Sequence, residues 1–232
     1  MMIVLPNGAA VAQAAAQRLT GLLLELTTAH APVHVVVTGG RDGLAVLGAL
    51  RANPLLPAIN WTDVHLWWSD ERFVPPDHAQ SNYGQARATL LDDLSIPAGN
   101  VHAMGGPDRF ANVHEAAAAY AEDLTQVFRF DLVLLGLGPD GHIASLFPDQ
   151  AGNQAVGAAA IGVENSPKPP RTRLSLTLPV LSAAQRVWFV ASGKAKRLAL
   201  ARSVAGDPQV PAGRVHGQLE TIWFADAAAA GV

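Results

Sequence analysis

Leu132-Val133-Leu134-Leu135-Gly136 runs directly into Leu137-Gly138-Pro139-Asp140-Gly141-His142. Consecutive apolar residues, rather than alternating ones, make a strand that is buried on both faces. Such strands belong to a mostly parallel sheet with helices on each side. The chain then passes abruptly from buried strand to two ionisable side chains set among glycines. In open α/β sheets ligands bind beyond the carboxyl ends of the strands, so residues placed like these take the chemical reading first.

The same alternation extends outward from this segment. Strands are expected at Val33–Thr38, Val64–Trp68, Asp131–Gly136, Leu174–Leu178, Val187–Ala191 and Thr221–Phe224. Helical patterns lie at Ala9–Ala29, Leu44–Ala52, Ser81–Leu91, Asn112–Arg129, Val180–Gln185 and Lys194–Val204, with a last short helix at Ala227–Ala230. Asn7 and Ser81 stand as N-caps. The expected fold is α/β and Rossmann-like: a mostly parallel central sheet with helices on both faces, in a single domain over residues 1–232. Gln150–Arg173 reads as a loop longer than an ordinary connection, which marks a functional or mobile segment.

Composition narrows the function. Half of the 232 residues are hydrophobic, enough for a large core. A formal net charge of −3 argues against nucleic-acid binding, which needs a basic surface, but leaves room for a small anionic ligand. With no cysteine there is no disulfide, thiolate nucleophile or cysteine-held metal. Gln13, Gln17, Arg18 and Glu25 interrupt the Ala/Leu-rich stretch, so no membrane span is expected, and the chain is read as cytoplasmic. No metal and no cofactor is expected, because neither the histidines nor the carboxylates show ligand spacing.

Four segments follow strands and carry candidate chemistry. In Thr38-Gly39-Gly40-Arg41-Asp42-Gly43, glycines allow close backbone approach and a helix N-terminus suits phosphate. A sharp turn that simply needs glycine is the alternative. In Trp68-Ser69-Asp70-Glu71-Arg72, Arg72 offers a planar fork for phosphate and Asp70 a proton or hydroxyl acceptor; an internal salt bridge competes. Asp140 and His142 form the third candidate, since imidazole suits base chemistry near neutral pH, against a histidine that only packs the turn. In Ser192-Gly193-Lys194-Ala195-Lys196 a lysine can reach an anion at the sheet edge, or stand exposed on a helix start.

Gly136-x-Gly138-x-x-Gly141 formally matches a dinucleotide-binding pattern, but that reading fails. Asp140 would repel the pyrophosphate, and Leu146-Phe147-Pro148 leaves room for only a short helix.

Taken in order, these segments resemble the 6-phosphogluconolactonase family over nearly the whole chain. The resemblance rests on Thr38-Gly39-Gly40, Ser69-Asp70-Glu71-Arg72-Phe73-Val74 with Ser81-Asn82-Tyr83, and Leu135 through Pro148. It continues with Ser166-Pro167-Lys168-Pro169-Pro170, Arg173 through Pro179, Gly193-x-x-Lys196 and Trp223-Phe224. It implies a small sugar-phosphate lactone as substrate, in a monomer or weak homodimer. It also implies His142 as the base that activates water, with Asp140 beside it, and Lys196 and Arg72 as phosphate ligands. Thr38, Gly39 and Gly40 resemble the phosphate or sugar cradle, Asp70 lies in the pocket, and Ser81-Asn82 supports its wall. Where the family carries small hydroxyl residues, this chain has Arg41-Asp42-Gly43. Arg41 either strengthens phosphate binding or is neutralised by Asp42.

Two other functions compete. A glucosamine-6-phosphate deaminase or isomerase would use Asp70 to shuttle protons between sugar carbons. A non-catalytic sugar-phosphate sensor would keep the cradle and have no need of His142.

Overall fold

The computed structural model describes residues 1–155 and 157–232. Its first half runs β1 (Met2–Leu5), α1 (Gly8–Ala29), β2 (Val33–Val37), α2 (Gly40–Arg51), β3 (Val64–Trp68), β4 (Asp70–Arg72), α3 (Asn82–Thr89), β5 (Val101–His102) and α4 (Val113–Asp123). Then come β6 (Leu132–Gly136), β7 (Ala160–Val163), β8 (Arg173–Leu176), α5 (Leu178–Ser182), β9 (Arg186–Ala191), α6 (Arg197–Val204), β10 (Glu220–Asp226) and α7 (Ala227–Ala230). Asn7 caps α1 by accepting from Ala10 N at 3.0 Å, and Ser81 caps α3 by accepting from Gly84 N at 3.0 Å.

Seven strands form one sheet in the order β1-β10-β9-β6-β2-β3-β5, and every neighbouring pair is parallel. Val33, Val36, Leu132 and Val133 are wholly buried, as strands covered on both faces require. One face packs Val35, Val37 and Leu66 against Leu19, Leu23, Leu47 and Leu50 of α1 and α2. On the other, Tyr120 of α4 meets the Trp67 ring edge-on at 5.8 Å.

The strand order places the site. From β2 the chain steps outward to β3 and β5, while from β6 it steps the other way to β9 and β10. The sheet therefore changes direction between β2 and β6. At such a switch point the two strand-end loops diverge and leave a crevice. The loops concerned are Thr38-Gly39-Gly40 and Leu137–His142.

Several sequence expectations are corrected. Leu174–Leu178 was expected in the central sheet. Its strand, β8, instead pairs antiparallel with β4 and β7 in a separate three-stranded sheet. Leu174 and Leu176 are fully buried there, so hydropathy could not tell the two sheets apart. The expected loop Gln150–Arg173 contains β7 and a 3-10 turn at Ala151–Gln154; its Val156 lies outside the described residues. The helix expected through Arg129 ends at Asp123 and closes in a 3-10 turn, Leu124–Gln126. Lys194–Lys196 is likewise 3-10, and α6 starts at Arg197. The remaining helices shift by a few residues: α2 starts at Gly40, ahead of Leu44, and α5 covers Leu178–Ser182 in place of Val180–Gln185.

Candidate active site

A cleft of about 500 Å³ opens at the switch point. Its walls come from the ends of β2, β6 and β9, from β4, and from the segment that leads into β8. Thr38, Gly39, Gly40, Arg41, Asp70, Arg72, His142 and Lys196 all line it. The candidates from four distant segments thus meet in one place.

His142 lines the cleft, while Asp140, its hydrogen-bond partner, stands behind it and is not among the lining residues. Asp140 Oδ1 is hydrogen-bonded to His142 Nδ1 and lies 3.4 Å from His142 N. Burial favours the neutral Asp140 carboxyl, but the His142 hydrogen bond, the His142 charge and Lys168 outweigh it and hold the group down to about 2. An ionised carboxylate only accepts, so the shared proton belongs to Nδ1, and in the neutral ring the lone pair is on Nε2. The ring also packs on Phe147, with centroids 4.5 Å apart. Gly138 makes room for the pair: a Cβ there would stand 1.9 Å from His142 Nδ1 and 2.6 Å from Asp140 Oδ1. Gly138 N donates to His142 O at 2.9 Å, which folds the loop back on itself.

The opposite wall is organised by a residue that sequence reading treated only as a neighbour of Arg41. Asp42, in the first turn of α2, accepts from Ser192 N at 3.0 Å, Ser192 Oγ at 2.7 Å and Arg41 Nε at 3.0 Å. Its other partner is Lys196 Nζ. Burial raises this carboxyl, but Lys196, Ser192 and Arg41 together hold it below its ordinary value. Arg41 also donates through Nη2 to Ser192 O at 2.7 Å. Arg41 is therefore both paired with Asp42 and part of the cleft wall.

Arg72 lines the cleft with its Nη1 donating to Gln80 O at 2.7 Å and its Nε buried without a partner. Asp70 is buried and accepts from Ser145 Oγ at 2.7 Å. Ser81 stands apart: its Oγ donates to Glu71 Oε2 at 3.1 Å, and it is not among the lining residues. It therefore acts on the structure behind the wall. Glu71 also accepts from the backbone N–H groups of Arg72, Asn82 and Tyr83, so it ties β4 to α3. Burial pushes its carboxyl up to about 7 against these donors. Asn82, 1% exposed, donates from Nδ2 to Asp70 O at 2.9 Å and does line the cleft.

Two cations were given no role by the sequence. Arg173 lines the cleft opposite Arg72 in the β4–β8 register, with its guanidinium 5.8 Å from the Phe147 ring centre. It donates to Lys168 O at 3.0 Å and so steadies the Pro-rich segment. Lys168 lines the cleft too; burial lowers its pKa, while the charge of Asp140 opposes that. Their only signal in the sequence was a cation just before an apolar strand and another between prolines. Among the described residues, no group of three or more histidines and acids is placed to hold a metal, and no helix is long and apolar enough to cross a membrane.

Known proteins resemble this chain in sequence and in fold. A family described as "Glucosamine-6-phosphate isomerases/6-phosphogluconolactonase" matches residues 6–223. A Streptomyces coelicolor protein named 6-phosphogluconolactonase is 43% identical over 233 residues, covering 95% of this chain and 89% of its own length. The human protein of that name is 41% identical, covering 96% and 88%. The crystal structure of 6-phosphogluconolactonase from Thermotoga maritima superposes with a TM-score of 0.86 at 29% identity, over 97% of this chain and 99% of that one.

Proposed function

The chain belongs to the glucosamine-6-phosphate isomerase/6-phosphogluconolactonase family, and we propose that it hydrolyses 6-phospho-D-glucono-1,5-lactone to 6-phosphogluconate by water that His142 activates. The observation that carries this reading is His142 lining a cleft shared by Arg41, Arg72, Lys168, Arg173, Lys194 and Lys196, with its Nδ1 engaged by Asp140. The names of the curated relatives support the lactonase over the deaminase within the family.

The lactone is a cyclic ester, so its cleavage needs an activated water, a stabilised oxyanion and a proton for the leaving oxygen. Neutral His142 takes a proton from water at Nε2 as the water oxygen bonds to C1. The tetrahedral oxyanion collapses, the C1–ring oxygen bond breaks, and the imidazolium returns the proton to that oxygen. Asp140 keeps the imidazole in the right tautomer and stabilises its charged form. Lys168, within electrostatic reach of Asp140, supplies positive charge beside C1. Lys196, Arg41, Arg72 and the Gly39-Gly40 turn hold the phosphate. The phosphate is remote from the bond that breaks, and its part is to position the ring.

Freshly prepared lactone followed by NMR, with spontaneous hydrolysis subtracted, is expected to disappear faster with the enzyme. Ammonia release from glucosamine 6-phosphate with no effect on the lactone would decide for the deaminase. Binding of 6-phosphogluconate with turnover of neither would decide for a sensor.

A further inference from the structure

We propose that Asp42 is a built-in counter-anion of the phosphate-binding pole: its carboxylate engages Lys196 and Arg41 and limits how tightly the cleft retains an anionic product. The inference rests on the hydrolysis proposed above, because that reaction changes the charge of its ligand. The lactone carries charge only on its phosphate. The product keeps the phosphate and gains a carboxylate at C1. Six cations line the cleft against the acidic side chains of Asp42 and Asp70. Such a surface holds the product more tightly than the substrate unless something opposes it.

Asp42 is placed to do so. It sits in the first turn of α2, where a helix N-terminus also favours an anion. It is 9% exposed and bonded to Lys196, Arg41 and Ser192, so it is fixed there in the free protein. An incoming phosphate must share Lys196 with a carboxylate already bound to it. Lys194 lines the same side of the cleft, and Lys168 adds its charge to that of Lys196. With all of these retained, loss of the Asp42 charge leaves the pole one unit more positive. At side-chain separations in a half-wet cleft, one unit charge changes anion binding by about tenfold.

The test is Asp42→Asn, with Asp42→Ser as a second neutral variant if the first does not fold. Calorimetric titration with inorganic phosphate is expected to show binding about tenfold tighter than in the wild type, a gain that shrinks as salt is added. The inhibition constant for 6-phosphogluconate should fall by a similar factor. The circular dichroism spectrum and thermal midpoint of each variant are to be compared with the wild type's, which separates the lost charge from a general disturbance of the fold. In a Lys196→Gln background the gain should largely vanish. Unchanged or weaker phosphate binding in both neutral variants overturns the proposal, as does wild-type protein that binds no phosphate. Absence of lactone hydrolysis by the wild type would count against the proposed reaction alone, because the phosphate titration does not depend on turnover.

Discussion

At the scale of single residues the site is a matter of which lone pair is left over. Asp140 has its carboxyl held down to about 2, so it stays an anion across the working range and only accepts. That makes Nδ1 of His142 the donor of the pair, and in the proposed reaction Nε2 is the base. Asp140 contributes stability above its ordinary pKa of 3.8, and that contribution is lost as pH falls through about 2. Its side chain is 38% exposed, so solvent screens part of the effect. The pair was legible in the sequence because both members lie in one short segment. Asp42 was not, since its main partners, Ser192 and Lys196, are about 150 positions away in the chain.

At the scale of elements the loop after β6 depends on Gly138. A methyl group there would overlap His142 Nδ1. Gly138→Ala is expected to fold and to lower kcat about a hundredfold or more, by displacing the base from its partner. Circular dichroism and steady-state kinetics check both halves, and near-normal kcat would remove Gly138 from the account. The loop's glycines match a nucleotide-binding pattern in spacing, yet their work is to make room for an imidazole and a carboxylate. The inner strands of the parallel sheet could be read because their runs are mostly apolar. The small sheet could not, because β4 is Asp70-Glu71-Arg72, three charged residues in a row. Their burial depends on Ser145 Oγ at Asp70, and on Ser81 Oγ and three backbone N–H groups at Glu71. Hydropathy carries no trace of such partners.

At the scale of the whole molecule the two ends of the sheet differ. The carboxyl ends of the strands carry the cleft. Across β2, β3 and β5, away from it, His34, His65 and His102 form a row: His65 Nδ1 lies 2.9 Å from His102 Nε2, and His102 stacks on Trp67 at 3.7 Å. Burial, then the charge of its neighbours, lowers His102 to about 4. Burial lowers His34 and His65 as well. The unfolded chain takes up these protons near 6.5 while the folded one resists, so stability falls as pH drops from 6.5 toward 4. His102→Phe, which keeps the stack on Trp67, is expected to flatten that fall in thermal unfolding; an unchanged profile would mean the row does not govern it. The α/β class and the meeting of distant segments followed from strand patterning and from the rule for switch points. The strand order itself did not, because β1 and β5 are short edge strands with weak signals. In the proposed reaction these scales meet in one imidazole at the switch point, which activates the water that opens the lactone. Its most direct test is kcat of His142→Ala on freshly prepared 6-phosphogluconolactone, measured above the spontaneous rate. The account expects a loss of about a hundredfold to ten-thousandfold with KM little changed, and kcat within a few fold of wild type would contradict it.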